Sequence, residues 1–169
     1  MQFNISKELL EQITQLINQK NDQELEVLLN DMHHADIAEI FDELNTEQAT
    51  YIFRILDSEI TAEILPELEE DVREKILRGL SAKEIAEELD ELDTDDAADI
   101  IAELSQSKKE EVISELEDVE HAKDIVDLLR YNEDTAGGLM GKEMVKVNEN
   151  WNVLTCVKEM RMQAEHVTR

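Results

Sequence analysis

Positive charge is scarce in this sequence: 16 Lys and Arg stand against 43 Asp and Glu, a net charge of −27 over 169 residues. A protein that grips nucleic acid replaces condensed counterions with clustered bases, so that function is excluded, and anionic lipid surfaces are repelled for the same reason. Cations are the natural partners. Cysteine is almost absent, and the single Cys156 cannot close an internal disulfide, which fits a reducing, cytosolic compartment. Long apolar runs are missing too. The start, MQFNISKELL, lacks the basic residues and apolar stretch of a signal peptide, and no window reaches the roughly 18 uncharged residues of a spanning helix. Yet 41% of the residues are hydrophobic and regularly spaced, enough to offset chain entropy by burying a core.

Charge and glycine divide the chain at the same place. Residues 131–169 carry a net charge of −1 and the preceding residues −26, and three of the four glycines are Gly137, Gly138 and Gly141. Helical periodicity also stops there, which predicts an acidic helical domain over 1–130 and a second unit over 131–169.

The first part is a repeat. With a shift of 48, SAKEIAEELDELDTDDAADIIAEL falls on HADIAEIFDELNTEQATYIFRIL, setting Ile85 on Ile37, Ala86 on Ala38, Leu89 on Phe41, Thr94 on Thr46 and Ile100 on Ile52. The pieces around Ile64, Leu65 and Leu68 and around Val112, Ile113 and Leu116 obey the same shift. Each period reads as two helical hairpins with apolar residues at i, i+3, i+4 and i+7. Such short helices need stacked neighbours, so the fold class is mainly α: a right-handed superhelical array of short helical hairpins. Thr46 and Thr94 are the expected N-caps, Pro66 ends or kinks its helix, and Ile5, Leu9, Ile13, Leu16 and Ile17 form the buried stripe of one or two leading helices.

Beyond the glycines the period becomes two. Val145 and Val147 are expected in a short strand, followed by a helix capped by Asn152 that buries Val153, Cys156, Val157 and Met160. One strand and one helix cannot close a core, so this unit is expected to be the incomplete start of an α/β domain.

The sharpest chemical feature is DELDTDDAADIIAEL, in which Asp95, Asp99 and Glu103 share a helical face beside Asp93 and Asp96. Like charges one turn apart repel. Dipole matching and solvation account for a first-turn acid but not for Asp99 or Glu103, which lie past it. Glu59, Glu63 and Glu67 form a second stripe. Mg2+ keeps most of its waters and needs only one or two carboxylates, whereas Ca2+ in an EF-hand needs a glycine that DTDDAAD lacks, so weak magnesium binding is the better fit. His33 and His34 read as solvated turn residues, and the isolated His121 and His166 make no better case for a metal. Cys156 and Trp151 read as packing residues. TAGGLMGKE fits no phosphate-cradling loop, and no nucleophile and base pair suggests an enzyme.

Residues 131–161, YNEDTAGGLMGKEMVKVNENWNVLTCVKEMR, resemble the junction at which MgtE-type magnesium channels pass from their N domain into the first CBS domain; Tyr131, Glu133, Asp134, Ala136, Gly137, Gly138, Leu139 and Met140 carry the likeness. The resemblance implies a cytosolic regulatory region below a dimeric transmembrane pore, in which Mg2+ bridges acidic faces of the N and CBS domains and favours closure. It puts the N-domain ligands on Asp95 and Asp99, with Glu63 as a third. The partner carboxylates, any nucleotide pocket, the remaining CBS strands and the pore are then expected beyond Arg169. The segment MHHADIAEIFDELNTEQATYIFRIL also resembles the middle domain of the flagellar motor switch protein FliG, the alternative being a helical scaffold.

Overall fold

The computed structural model describes residues 5–132 and 135–167, with side chains of the last helix as far as Ala164. Ten short helices precede the glycine cluster: α1 (Lys7–Gln19), α2 (Asp22–Asn30), α3 (His34–Glu43), α4 (Thr46–Ile55), α5 (Ser58–Ile64), α6 (Glu70–Gly79), α7 (Ala82–Leu89), α8 (Thr94–Glu103), α9 (Gln106–Glu115) and α10 (Val119–Leu128). A final helix, α11 (Val153–Val167), follows an irregular segment. The 48-residue period runs from the first helix to the tenth, because α5 with its following turn, α6, α7 and α8 repeat α1 to α4, and α9 and α10 begin the period again. The leading residues thus belong to the array.

Packing follows from the apolar stripes. Helices lean on the neighbour two places along, α3 on α5, α5 on α7 and α7 on α9 in one row, and α4 on α6 and α8 on α10 in another. The sequence-matched pairs Ile37 and Ile85, Phe41 and Leu89, Ala49 and Ala97, and Ile52 and Ile100 are all buried in one continuous core. Each large side chain so buried contributes about 1.5–3 kcal/mol of transfer free energy, which helices of this length need from their neighbours. Ile13 and Leu16 are buried, with Ile5, Leu9 and Ile17 packed against them.

Pro66 ends α5 as expected, leaving a 3-10 turn at Leu65–Glu67. Arg73 fastens that turn by donating from one guanidinium nitrogen to the carbonyls of Leu65, Pro66 and Leu68, while its other two nitrogens reach Glu103 at 3.0 and 2.5 Å.

Two caps fall one residue earlier than expected. Asn45, not Thr46, caps α4, in a reciprocal capping box with Gln48, and Asp93 takes the cap position of α8, leaving Thr94 in its first turn. Asn is the stronger cap, and Gln48 three residues on completes the exchange.

The expected strand is absent: no strand occurs among the described residues, and 140–148 is irregular. A strand exists only as part of a ladder, and no second extended segment lies alongside Val145 and Val147. The helix after it forms, with Asn152 accepting from the Thr155 N–H at 2.9 Å, but its stripe is not buried. Val153, Val157 and Met160 are exposed and Cys156 is half-buried, since nothing described packs over them.

Candidate functional site

The acidic face is built on the N-terminal half of α8, where Thr94, Ala97, Ala98, Ile100 and Ile101 turn into the core and force Asp95, Asp96 and Asp99 outward. Asp95 is half-buried and Asp96 and Asp99 are exposed. Crowding of this turn raises the Asp96 carboxyl above its ordinary value, first by partial desolvation and then through the charges of Asp95, Asp93, Asp99 and Glu143.

Glu143 closes the site from the far side of the glycine cluster. Its carboxylate accepts the Thr94 N–H at 2.9 Å and the Thr94 hydroxyl at 3.1 Å, and the same hydroxyl accepts the Lys142 N–H at 3.0 Å. A backbone donor that α8 cannot satisfy internally is thereby met by a residue 49 positions later in the chain. Burial alone would raise the Glu143 carboxyl, but the hydrogen bonds from Thr94, helped by His121, outweigh it and hold it below the ordinary range. Lys142 adds a second fastening, its Nζ 2.8 Å from Asp127 on α10. Gly141 makes room for this docking: a Cβ there would lie 3.2 Å from Glu143 Oε2 and 3.7 Å from Asp95 Oδ1. Asp95 and Glu143 thus flank one glycine.

Around this clasp lies an open cleft of about 640 Å³ bordered by Asp93, Asp118, Asp124, His121, Lys142 and Glu143. Asp118 has its own work at the start of α10, accepting from the N–H groups of Glu120 and His121.

The other acids of the two stripes sit elsewhere. Glu103, the third member of the α8 face, is committed to Arg73, with the two side chains 24% and 14% exposed. Glu63 lies exposed on α5 with its carboxylate 3.0 Å from His34 Nδ1, so His34, at the start of α3, is a hydrogen-bond partner and not a solvated turn residue. His33 caps α3, its Nδ1 accepting from the Ala35 N–H. His121 is also engaged, its Nε2 3.0 Å from the Leu89 carbonyl. His166, Glu133 and Asp134 lie outside the described side chains. No group of three His, Cys, Asp or Glu side chains close enough to hold an ion occurs among the described residues.

Residues 32–134 match the model of the MgtE intracellular N domain. The chain belongs to that family. The match decides between the two likenesses drawn from the sequence in favour of MgtE, and it is not a family of enzymes. A solved structure of the cytosolic domain of the Mg2+ channel MgtE in complex with ATP is 26% identical, with a TM-score of 0.82, over 95% of this chain and 66% of that one. The soluble part of a magnesium transporter is 24% identical, with a TM-score of 0.76, over 96% of this chain and 64% of that one, a likeness of fold. The chain therefore spans slightly under two thirds of the length of either. No curated protein sequence matches it significantly. Among the described residues no helix is long and apolar enough to cross a membrane, in keeping with an intracellular MgtE domain.

Glu143 is the member of this clasp that the sequence pattern did not reveal. Repeat one reads Asn45-Thr46-Glu47-Gln48 and closes its own capping box, while repeat two reads Asp93-Thr94-Asp95-Asp96. Glu143 meets a different donor, the N–H of Thr94 rather than that of the cap residue Asp93, so no capping pattern leads to it.

Proposed function

We propose that this chain is the magnesium-sensing cytosolic region of an MgtE-like magnesium channel, with Mg2+ held between Asp95 and Asp99 of α8 and carboxylates of a CBS domain in the same dimeric protein. Binding favours closure of the pore. The observation that supports this most is the crowding of Asp93, Asp95, Asp96, Asp99 and Glu143 at one helix start, enough to raise the Asp96 carboxyl. Such a surface is relieved by a doubly charged ion.

The donor set suits the ion. Two carboxylates one turn apart, completed by waters, are what Mg2+ takes in preference to a dedicated protein cage. Glu63 joins as a third ligand only by giving up His34. Because the Glu143 anchor stands beside Asp95, an ion on this face also lowers the repulsion on the segment that leads away from the array. The second unit, from 131 onward, is read as the start of the CBS domain.

Calorimetric titration of MgCl2 into this chain tests the reading, with NaCl at matched ionic strength as the control. Thermal stability gives a second measure, with binding at five times Kd adding about 1 kcal/mol. Asp95→Asn with Asp99→Asn removes the magnesium-specific part and leaves the sodium response. Equal responses to the two salts in the parent would overturn the proposal.

A further inference from the structure

Glu88 on α7 occupies the position that Ile40 holds one repeat earlier, and Ile40 is fully buried. Its partner Thr61 on α5, itself fully buried, holds the position of Ile13, again fully buried. Two apolar core positions of the first repeat have therefore become a hydroxyl and a carboxyl in the second. Thr61 Oγ1 lies 2.5 Å from Glu88 Oε2 and 3.2 Å from each of the carbonyl oxygens of Asp57 and Ser58.

We propose that Glu88 and Thr61 form a proton-sensitive joint between α5 and α7, which favours the folded array when Glu88 carries a proton and works against it when Glu88 is ionised.

The hydrogen count supports this. The Thr61 hydroxyl has one proton and faces three acceptors. With Glu88 ionised, the hydroxyl's one proton goes to the carboxylate and the two contacts to its own helix carbonyls are left without it. With Glu88 protonated, the carboxyl O–H donates to Thr61 Oγ1 and the Thr61 O–H donates to Asp57 or Ser58, so both contacts are hydrogen bonds. An ionised carboxylate on half-buried Glu88 also forfeits part of its hydration.

No opposite charge is paired with Glu88 among the described residues, and Lys83 on its own helix reaches Glu87 instead. Glu87 and Glu91 flank Glu88 on its own helix. The charged residues of α5 are Glu59 and Glu63, and α9 brings Glu110, Glu111 and Glu115. The two ammoniums of α9 are turned to carbonyls, Lys108 to Leu80 and Lys109 to Ala102. Burial, opposed by the Thr61 hydrogen bond and reinforced by Glu87 and Glu91, pushes the Glu88 carboxyl up to about 7.

The sign of the effect follows. Unfolded, Glu88 loses its proton near 4.5, while folded it keeps it to about 7. Folding takes up a proton between those values, so Glu88 works against the folded array progressively as pH rises through that window, and fully above it. The joint then titrates around neutrality, which gives the array a proton input that does not depend on the magnesium reading.

Carbon-13 titration of the Glu88 carboxyl in the intact chain is the direct test: a midpoint near 7 is expected, and one near the ordinary 4.5 would overturn the proposal. Glu88→Gln keeps the size and one donor. Its melting temperature should equal the parent's at pH 4, below the window, and exceed it by about 6 °C at pH 8. A gap unchanged between the two pH values would equally overturn it. If the variant fails to fold, the carbon-13 midpoint decides alone.

Discussion

The side-chain amide of Gln163 accepts the Lys146 N–H at 2.7 Å and donates to the Lys146 carbonyl at 2.9 Å, so one glutamine on α11 makes both bonds that a neighbouring strand would make to that residue. Gln163→Ala should lower stability by about 1 kcal/mol and speed hydrogen exchange at the Lys146 amide, while amides of the α3–α8 core stay protected. Gln163→Glu keeps the acceptor and loses the donor, and should fall between the two.

Glu143→Ala removes the outside cap of α8. A loss of about 1–2 kcal/mol is expected, with faster exchange of the Thr94 amide. Because the folded Glu143 carboxyl lies below its ordinary 4.5, the stability it supplies is present above that value and is lost as pH falls through the lowered one. The melting difference between parent and Glu143→Gln should therefore shrink on acidification. A difference constant from pH 7 to pH 3 would contradict the assigned bonds.

Arg73→Ala leaves Glu103 without its guanidinium and three carbonyls of the Pro66 turn without a donor. The expected loss is about 2–3 kcal/mol, larger than for Glu103→Gln, which leaves the turn contacts in place. Denaturant melts of the two variants measure it.

A methyl group on Gly137 would overlap the ring of Tyr131, so Gly137→Ala must displace that ring and should destabilise the junction. Tyr131→Ala should relieve the clash. A double variant no less stable than Tyr131→Ala alone is the expected outcome, and thermal melts of the three variants measure it.

Under the proposed magnesium-sensing role, Asp95→Ala with Asp99→Ala in the full-length protein should move closure to higher cytosolic magnesium without abolishing conduction. Lost ligation weakens the ion's preference for the closed form, and only that preference can shift the gate. Relief of the aspartates' mutual repulsion acts the other way but supplies no attraction between domains. Patch recordings across a magnesium titration read the shift, and an unchanged midpoint would reduce these aspartates to a solvated face.

The array was legible because its information is local and repeated. Ile37, Phe41, Ala49 and Ile52 announce buried faces by spacing alone, and the shift of 48 doubles the signal. Alternation at Met144–Val147 misled because period two describes which way side chains point, while a strand also needs a partner backbone. The stripe at Val153, Val157 and Met160 was read correctly as apolar, but burial belongs to what lies opposite it. Charge spacing placed Asp95 and Asp99 on one outward face of α8, where the structure has them. Glu143 and the fate of Glu103 were not, because each is decided by a residue at least 30 positions away that no periodic pattern connects.

The span from Thr94 to Glu143 also bears on the order in which the molecule assembles. Helices two places apart are joined by short stretches of chain, so the rows can grow quickly from neighbour to neighbour. The contact between Thr94 and Glu143 must close a loop of 49 residues and gains little until α8 and α10 already stand together. It is therefore completed late and released early. The start of α8, where the acidic side chains gather, thus gains part of its order from a contact made only after the rows have formed.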